Sequence, residues 1–388
     1  MNAAYRNWMG GWLVGLWVAC AAAIGRTSQG QEPPRAAGIL VGKVEQLHSP
    51  QIFGSDIAQV LQTIDTHVMR LEGRLVKLHL VCRSDAIATQ AQQLIVSRYA
   101  QQPPATTYVV GQLADASAVI GADAVIALPE NTKTSVPSAA VTSAAVNSAA
   151  GKVRETSWGR VLPLGSRVYI SGQAEKGADP SAAAAATLAS LARTLQWLGC
   201  SLDDVVQIKA FLSPIEAAAE VRQTCAGFFG DRKVPLVLVE WKSNLPIEIE
   251  LIAAAPAPIQ SAAAIEYLTP PGFTASPVYC RVAKVNAAET IYVGGLWADQ
   301  SLAPPQEVTN VFQQLQAKLA GLGSDLRHLA KATYYVSGEE TSQQLNKLRP
   351  QYYDPSSPPA ASKAVVVGVG QSERFLTLDM IAVPADSR

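Results

Sequence analysis

One spacing recurs along the chain and constrains its architecture more than any single motif. A glycine followed by polar residues, a leucine and a β-branched strand stands at Gly73-Arg74-Leu75-Val76, Gly199-Cys200-Ser201-Leu202-Asp203-Asp204-Val205-Val206 and Gly323-Ser324-Asp325-Leu326; the glycines are 126 and 124 residues apart. Acidic residues set in alternating apolar strands keep the same rhythm, with Asp123, Glu250 and Asp379 separated by 127 and 129 residues. The segment Val168-Tyr169-Ile170-Ser171-Gly172-Gln173 returns as Ile291-Tyr292-Val293-Gly294-Gly295-Leu296, an offset of 123. A period of about 125 residues therefore accounts for the chain beyond its N-terminal segment. Such a repeat excludes a single small module and predicts three similar domains.

The middle unit is the most readable. An alternating strand over Arg167–Ser171 precedes an Ala-rich helical stretch, Ser181–Leu198, and Gly199 stands where a C-capping glycine belongs. A second strand follows at Val205–Leu212, a helix at Ile215–Phe229 ending in Gly230, and two closing strands at Leu236–Trp241 and Pro246–Ala253. This order predicts an α+β layer, a mixed sheet with both helices on one face covering its apolar side. A Ser/Ala/Thr/Val-rich segment over 129–151 and a Pro-containing one over 256–277 carry few charges and read as flexible linkers, leaving domains at 38–128, 152–255 and 278–385.

Residues 1–30 follow the order of a secretory signal: Arg6, the apolar stretch Trp8–Ile24, the small residues Ala21-Ala22-Ala23, then a polar segment. The run of 17 residues, interrupted by Gly10, Gly11 and Gly15, falls short of the roughly 20 apolar residues of a spanning helix. A cleaved signal is expected, with lipidation at Cys20 or a retained anchor as alternatives, and the body is expected in a periplasmic or extracellular compartment with no further membrane contact. Cys82, Cys200, Cys225 and Cys280 have long, irregular spacings and are expected as buried free thiols, although export permits disulfides. His48, His67, His79 and His328 show no metal-ligand spacing, so neither metal nor cofactor is expected.

Charge narrows the partner. Lys and Arg number 31, Asp and Glu 31, and no basic run appears. Non-specific nucleic-acid affinity rests on cations that neutralise phosphates, so the expected partner is a small molecule and not a nucleic acid.

Taken together, Val168-Tyr169-Ile170-Ser171-Gly172-Gln173, Leu198-Gly199, Leu202-Asp203-Asp204-Val205-Val206, Phe228-Phe229 and Ile247-Glu248-Ile249-Glu250-Leu251-Ile252-Ala253 resemble the RidA (YjgF, endoribonuclease L-PSP) family of reactive-imine deaminases. The third repeat shares Tyr292-Val293-Gly294-Gly295, Tyr352-Tyr353 and Ala361-Ser362-Lys363-Ala364, and the first matches only in its second half. The resemblance implies a chorismate-mutase-like α+β domain in each repeat. Family members are trimers with ligand clefts between subunits, so three tandem domains imply a monomeric pseudo-trimer built from one polypeptide.

The resemblance also directs attention to particular residues. Deaminases of the family grip the substrate carboxylate with an arginine that follows a proline at the start of the fourth strand, and a glutamate on the last strand orients the attacking water. The arginine position is placed at Thr106, at Leu236 or the next residue Val237, and at Lys363, and the glutamate position at Gly121, Glu248 and Thr377. Glu248 and Lys363 are thus the candidate catalytic residues. Lys363 reads either as a point charge for a carboxylate or as a solvated strand lysine, and Glu248 either as that glutamate or as the outward carboxylate of an alternating strand. Ser171, Gly172, Thr106 and Trp297 are candidate ligand contacts, Trp297 serving equally well as a core or interface aromatic. Two functions compete: hydrolysis of a carboxylate-bearing imine or enamine in an inter-repeat cleft, or non-catalytic ligand binding and scaffolding, since no repeat keeps the arginine. The ribonuclease label attached to part of the family sits poorly with neutral charge and export.

Overall fold

Residues 38–130, 151–257 and 263–386 are described by a computed structural model. The expected signal over 1–30, with Cys20, and nearly all of the linker over 129–151 lie outside the described residues. The first repeat contributes β1 (Gly38–Val41), β2 (Gln46–His48), β3 (Ile52–Gly54), α1 (Ile57–Arg70), β4 (Arg74–Cys82), α2 (Asp85–Arg98), β5 (Ala105–Val110) and β6 (Ile120–Ala127). The second contributes β7 (Arg154–Glu155), β8 (Arg160–Leu162), β9 (Arg167–Gln173), α3 (Pro180–Trp197), β10 (Val205–Leu212), α4 (Ala218–Phe229), β11 (Leu236–Glu240) and β12 (Ile247–Ala254). The third contributes β13 (Ile265–Leu268), β14 (Val282–Val285), β15 (Thr290–Leu296), α5 (Pro304–Gly321), β16 (Leu329–Val336), α6 (Glu339–Leu348), β17 (Ala360–Val365) and β18 (Leu376–Ala382). The fold is α+β, with three mixed sheets and two helices per repeat, as the sequence predicts.

Local chemistry explains the helices. Asp179 caps α3 by accepting from the Ala182 N–H at 2.7 Å, and Pro180 fits the first turn, where its missing N–H costs nothing. Along α3, Ala184, Leu188, Leu191 and Leu195 recur at helical spacing and are buried against the sheet. Gly199 and Gly323 take the left-handed conformation that ends α3 and α5, at φ +72 and +73. In the first repeat that conformation falls on Glu72, at φ +51, and not on Gly73. The glycine register read from sequence is therefore one residue off there.

Each sheet has the same centre. An antiparallel trio (β4, β6 and β2; β10, β12 and β9; β16, β18 and β15) carries a parallel outer strand, β5, β11 or β17. The edges are shared between repeats. Strands β7 and β8, at the head of the second repeat, extend the first sheet by pairing β8 with β2. Strands β13 and β14, at the head of the third, extend the second sheet through β9. Strand β1, at the head of the first, pairs with β15 of the third sheet. Every repeat thus lends its leading strand to another, and each loan covers a row of backbone groups that would otherwise be an open edge. One departure from expectation follows: residues 265–268, read as linker from their composition, form β13.

The apolar core follows the same division. Three clusters lie mainly between a sheet and its helices, and a fourth, including Val76, Tyr169, Val206, Tyr292 and Ile381, draws on the inner sheet faces of all three repeats.

Candidate functional site

The strands that form the sheet centres carry charge toward those inner faces. Lys77 and His79 on β4, Lys209 on β10 and Lys331 on β16 are all buried or nearly so, as are Asp123 on β6, Glu250 on β12 and Asp379 on β18. Lys77 lies 2.7 Å from Asp379, which Lys209 approaches at 3.6 Å; Lys331 donates to Glu250 at 2.7 Å. His79 meets Asp123 through Nδ1 at 2.8 Å and the Tyr335 hydroxyl through Nε2 at 3.1 Å, and that hydroxyl also accepts from Lys209 at 3.2 Å. Burial alone would raise Asp379, but Lys77, Lys209 and Lys331 outweigh it and hold its carboxyl well below the usual range. His79 is pushed down, first by burial and then by Lys209, which favours the neutral ring. Three ammonium groups face three carboxylates, so the cluster is neutral and its members are spent on one another.

A second polar group of residues lies where the second and third repeats meet, and its groups are not spent. Glu248, on β12 opposite Phe211 of β10, is half-buried. Its side chain occupies the space that a Cβ on Gly172 would need, so glycine at 172 is what admits the carboxyl. The Gly172 N–H donates to the Ser362 hydroxyl of β17 at 3.0 Å, and the Ser171 N–H donates to the Arg281 carbonyl at 3.0 Å. The Ser171 hydroxyl and Arg281 Nε are buried without a hydrogen-bond partner. Stacking holds the Arg281 guanidinium: it lies 4.9 Å from the Phe273 ring centre and 5.1 Å from that of Tyr279. Burial, and after it the charge of Glu250, push the Glu248 carboxyl up to about 7, against the pull of Ser362, Arg281 and Lys331. A carboxyl pushed toward neutrality can move a proton, and a guanidinium whose charge reaches it can bind an anion.

The residues singled out from sequence fare differently. Glu248, Ser171 and Gly172 come together where the second and third repeats meet. Lys363 does not join them: its ammonium donates to Ser342 at 2.9 Å and Asn346 at 3.3 Å on α6, whereas the neighbouring Ser362 turns toward Gly172. Trp297 is buried, donates its indole N–H to the Val369 carbonyl at 2.7 Å and stacks on Tyr108 at 5.7 Å. It is an interface aromatic, satisfied within the protein. Thr106 is buried, donates to the Pro104 carbonyl at 3.0 Å, and its backbone packs against Gly294 and Gly295. Arg281 and Ser362 were missed, although an arginine right after Tyr279-Cys280 and ahead of an apolar strand was visible. All four remaining cysteines are free and buried.

Comparison with known proteins bears on this geometry. The family model described as Endoribonuclease L-PSP matches residues 152–255. The second repeat thus matches the RidA (YjgF, endoribonuclease L-PSP) family. Solved structures with similarity include a YjgF-family protein from Neisseria meningitidis, 20% identical over 32% of this chain and 97% of its own, with a TM-score of 0.24. Yeast Mmf1 is 22% identical over 31% of this chain and 94% of its own, with a TM-score of 0.23. A YjgF/YER057c/UK114-family protein from Mycobacterium tuberculosis is 13% identical over 27% and 85%, with a TM-score of 0.23. No curated protein matches the chain.

Strand register corrects one position in this RidA-type frame. Asp123, Glu250 and Asp379 pair with His79, Lys209 and Thr333, which pair in turn with Thr107, Val237 and Ser362. The residue preceding each of these is Thr106, Leu236 and Ala361, so Ala361, and not Lys363, stands at the third equivalent of the arginine position. Lys363 pairs with Tyr334, two residues further along. Paired Pro358 and Pro359 gave the sequence reading no unique anchor for counting.

Proposed function

We propose that the crevice between the second and third repeats binds a small carboxylate-bearing compound and hydrolyses a reactive imine or enamine group in it. The observation that carries the reading is the half-buried Glu248 carboxyl, packed into the space left by Gly172, pushed up to about 7 and within the electrostatic reach of Arg281. In the family's deaminases a guanidinium anchors the substrate; here Arg281, carried on the segment that leads into β14, supplies a guanidinium that β17 lacks at Ala361. Stacked on two rings, it is held in place to grip a carboxylate with both arms. Glu248, as carboxylate, takes a proton from a water attacking the C=N carbon, forming the C–O bond. As carboxylic acid it returns that proton to the nitrogen, giving a carbinolamine, and it then relays the carbinolamine's hydroxyl proton to the same nitrogen as the C–N bond breaks, releasing a ketone and ammonia. Ser171 and Ser362 offer hydroxyls to hold the water or the nitrogen.

A second reading, ligand binding without turnover, is supported by Thr106, Leu236 and Ala361, none of them a cation. One experiment separates the two. An amino-acid oxidase generates 2-iminobutanoate, and its decay is followed with wild-type chain, Glu248→Gln and Arg281→Gln. The proposal expects acceleration that falls about 100-fold or more in Glu248→Gln and a KM raised about tenfold in Arg281→Gln. Absence of acceleration by the folded wild type removes the hydrolase reading; saturable binding of 2-oxobutanoate under the same conditions then supports the second.

We propose further that the folded particle is a single chain, a pseudo-trimer whose strand loans satisfy all three repeats internally, and that it works outside the cytoplasm without metal, cofactor or nucleic acid. Light scattering that gives a multiple of the one-chain mass, or cell fractionation that finds the protein in the cytoplasm, overturns the respective statement.

A further inference from the structure

We propose that the groove between α3 and the Pro270–Phe273 loop is a binding site for a small aromatic zwitterion, a compound with a ring, a carboxylate and an amine. The groove encloses about 410 Å³, within the roughly 300–1,000 Å³ of small-molecule sites. It meets the Glu248 site only at the Phe273–Arg281 stack, its own charged groups being Arg193 and Glu175, and it does not depend on the reading given above.

Helix α3 supplies one wall. Ser190, Arg193, Thr194 and Trp197 line the groove and recur at the i, i+3, i+4, i+7 spacing that places side chains on one helix face. Phe273 supplies an aromatic surface from the loop, and the Arg281 guanidinium stacked on its ring holds it. Trp197 is 44% exposed. An indole and a phenyl ring left in contact with water in one groove give a planar apolar ligand two surfaces to cover.

The charges specify the rest of the ligand. Arg193 and Glu175 both line the groove, and among the described residues neither side chain has a hydrogen-bond or ion-pair partner. The backbone beneath them is fixed: the Glu175 N–H donates to Thr187 at 3.0 Å, and Gln173 donates to Thr194 at 3.1 Å while its own side-chain oxygen stays buried and unpartnered. One free cation and one free anion on a rigid frame match a ligand carrying both charges. A carboxylate meets the fork of Arg193, an ammonium meets Glu175, and the ring meets Trp197 and Phe273.

Calorimetric titration of the purified chain tests this with L-phenylalanine and L-tryptophan as probes. The controls are 3-phenylpropanoate, which lacks the amine, phenethylamine, which lacks the carboxylate, and L-alanine, which lacks the ring. At least one aromatic amino acid is expected to bind saturably, with each control weaker by about tenfold or more. Arg193→Gln and Glu175→Gln are each expected to weaken binding about tenfold with an unchanged unfolding midpoint, since both groups sit at the surface of the groove. Trp197→Ala removes a wall without altering charge and is expected to do the same. No binding of either amino acid, equal binding of any control, or affinity indifferent to all three substitutions overturns the proposal.

Discussion

Lys331 donates to Glu250 at 2.7 Å across the boundary between the third and second repeats. The pattern extends around the molecule: Asp379 of the third repeat is met by Lys77 of the first and Lys209 of the second, and Tyr335 of the third bridges His79 and Lys209. Lys77, Asp379 and Tyr335 find their partners only in other repeats, and Lys209, Lys331 and Glu250 reach across a boundary as well as within their own repeat. The cluster therefore specifies how the repeats meet, whereas the apolar residues around it would tolerate several arrangements.

Substituting Lys331 by Met leaves the buried Glu250 with Lys209, 4.0 Å away, as its cationic partner among the described residues. Removing one partner of a buried pair costs about 3–5 kcal/mol, so urea unfolding should show a loss of that size. Adding Glu250→Leu to Lys331→Met should recover most of it, because no stranded charge remains.

The three-fold repetition and the strand-helix order of the second repeat were legible in the sequence because periodicity and capping are local signals. Arg167–Ser171, Val205–Leu212 and Ser181–Leu198 all fall within two residues of the observed elements. The strand loans were not legible. Nothing in the composition of 38–41 or 265–268 says that their backbone pairs with a strand of another repeat, since a short edge strand is chosen by the partner it covers. The same limit hid Arg281: its neighbourhood with Glu248 is created by tertiary placement, whereas Glu248, Ser171 and Gly172 stood in motifs. Lysines at 77, 209 and 331 inside apolar strands were the overlooked sign of a buried charge centre.

Glu248 gives a pH signature. Its carboxyl is raised from an ordinary 4.5 to about 7 in the folded protein, so the native state favours the protonated form. The associated stability is complete below pH 4.5 and is lost as pH rises to 7. Glu248→Gln, always neutral, should therefore be more stable than wild type at pH 8 by about 1–3 kcal/mol and no more stable at pH 4. Chemical unfolding at the two pH values checks the sign.

Gly172 tests the geometry of the crevice without touching its charges. A methyl group there collides with the Glu248 side chain, including its Cγ and carboxyl, and the carboxyl must swing away. Gly172→Ala should cost about 1–3 kcal/mol of stability, as overpacking does. It should also depress 2-iminobutanoate turnover about as far as Glu248→Gln. Retention of full activity would separate Glu248 from the reaction.

His48 offers the last test, in the opposite direction of pH. Its ring on β2 is buried, both nitrogens lack a hydrogen-bond partner, and burial, followed by the nearby charge of Lys77, lowers it from 6.5 to about 3 despite the opposing charge of Asp123; Arg167 adds to the lowering. The unfolded chain takes up this proton below pH 6.5 and the folded chain does not, so stability is present above 6.5 and drains away as pH falls toward 3. Asp123, Glu250 and Asp379, all held low, begin to lose their contributions only near the ordinary carboxylate range, below about pH 4.5. Between pH 6.5 and 4.5 the loss thus belongs to buried histidines and runs against the gain from Glu248, and at roughly 1.4 kcal/mol per pH unit His48 contributes about 2–3 kcal/mol of it. In His48→Gln, where His79 is unchanged, the stability curve should be flatter by that amount over this interval and parallel to wild type above pH 7. A variant that loses stability as steeply as wild type would mean that His48 already carries its proton in the folded state.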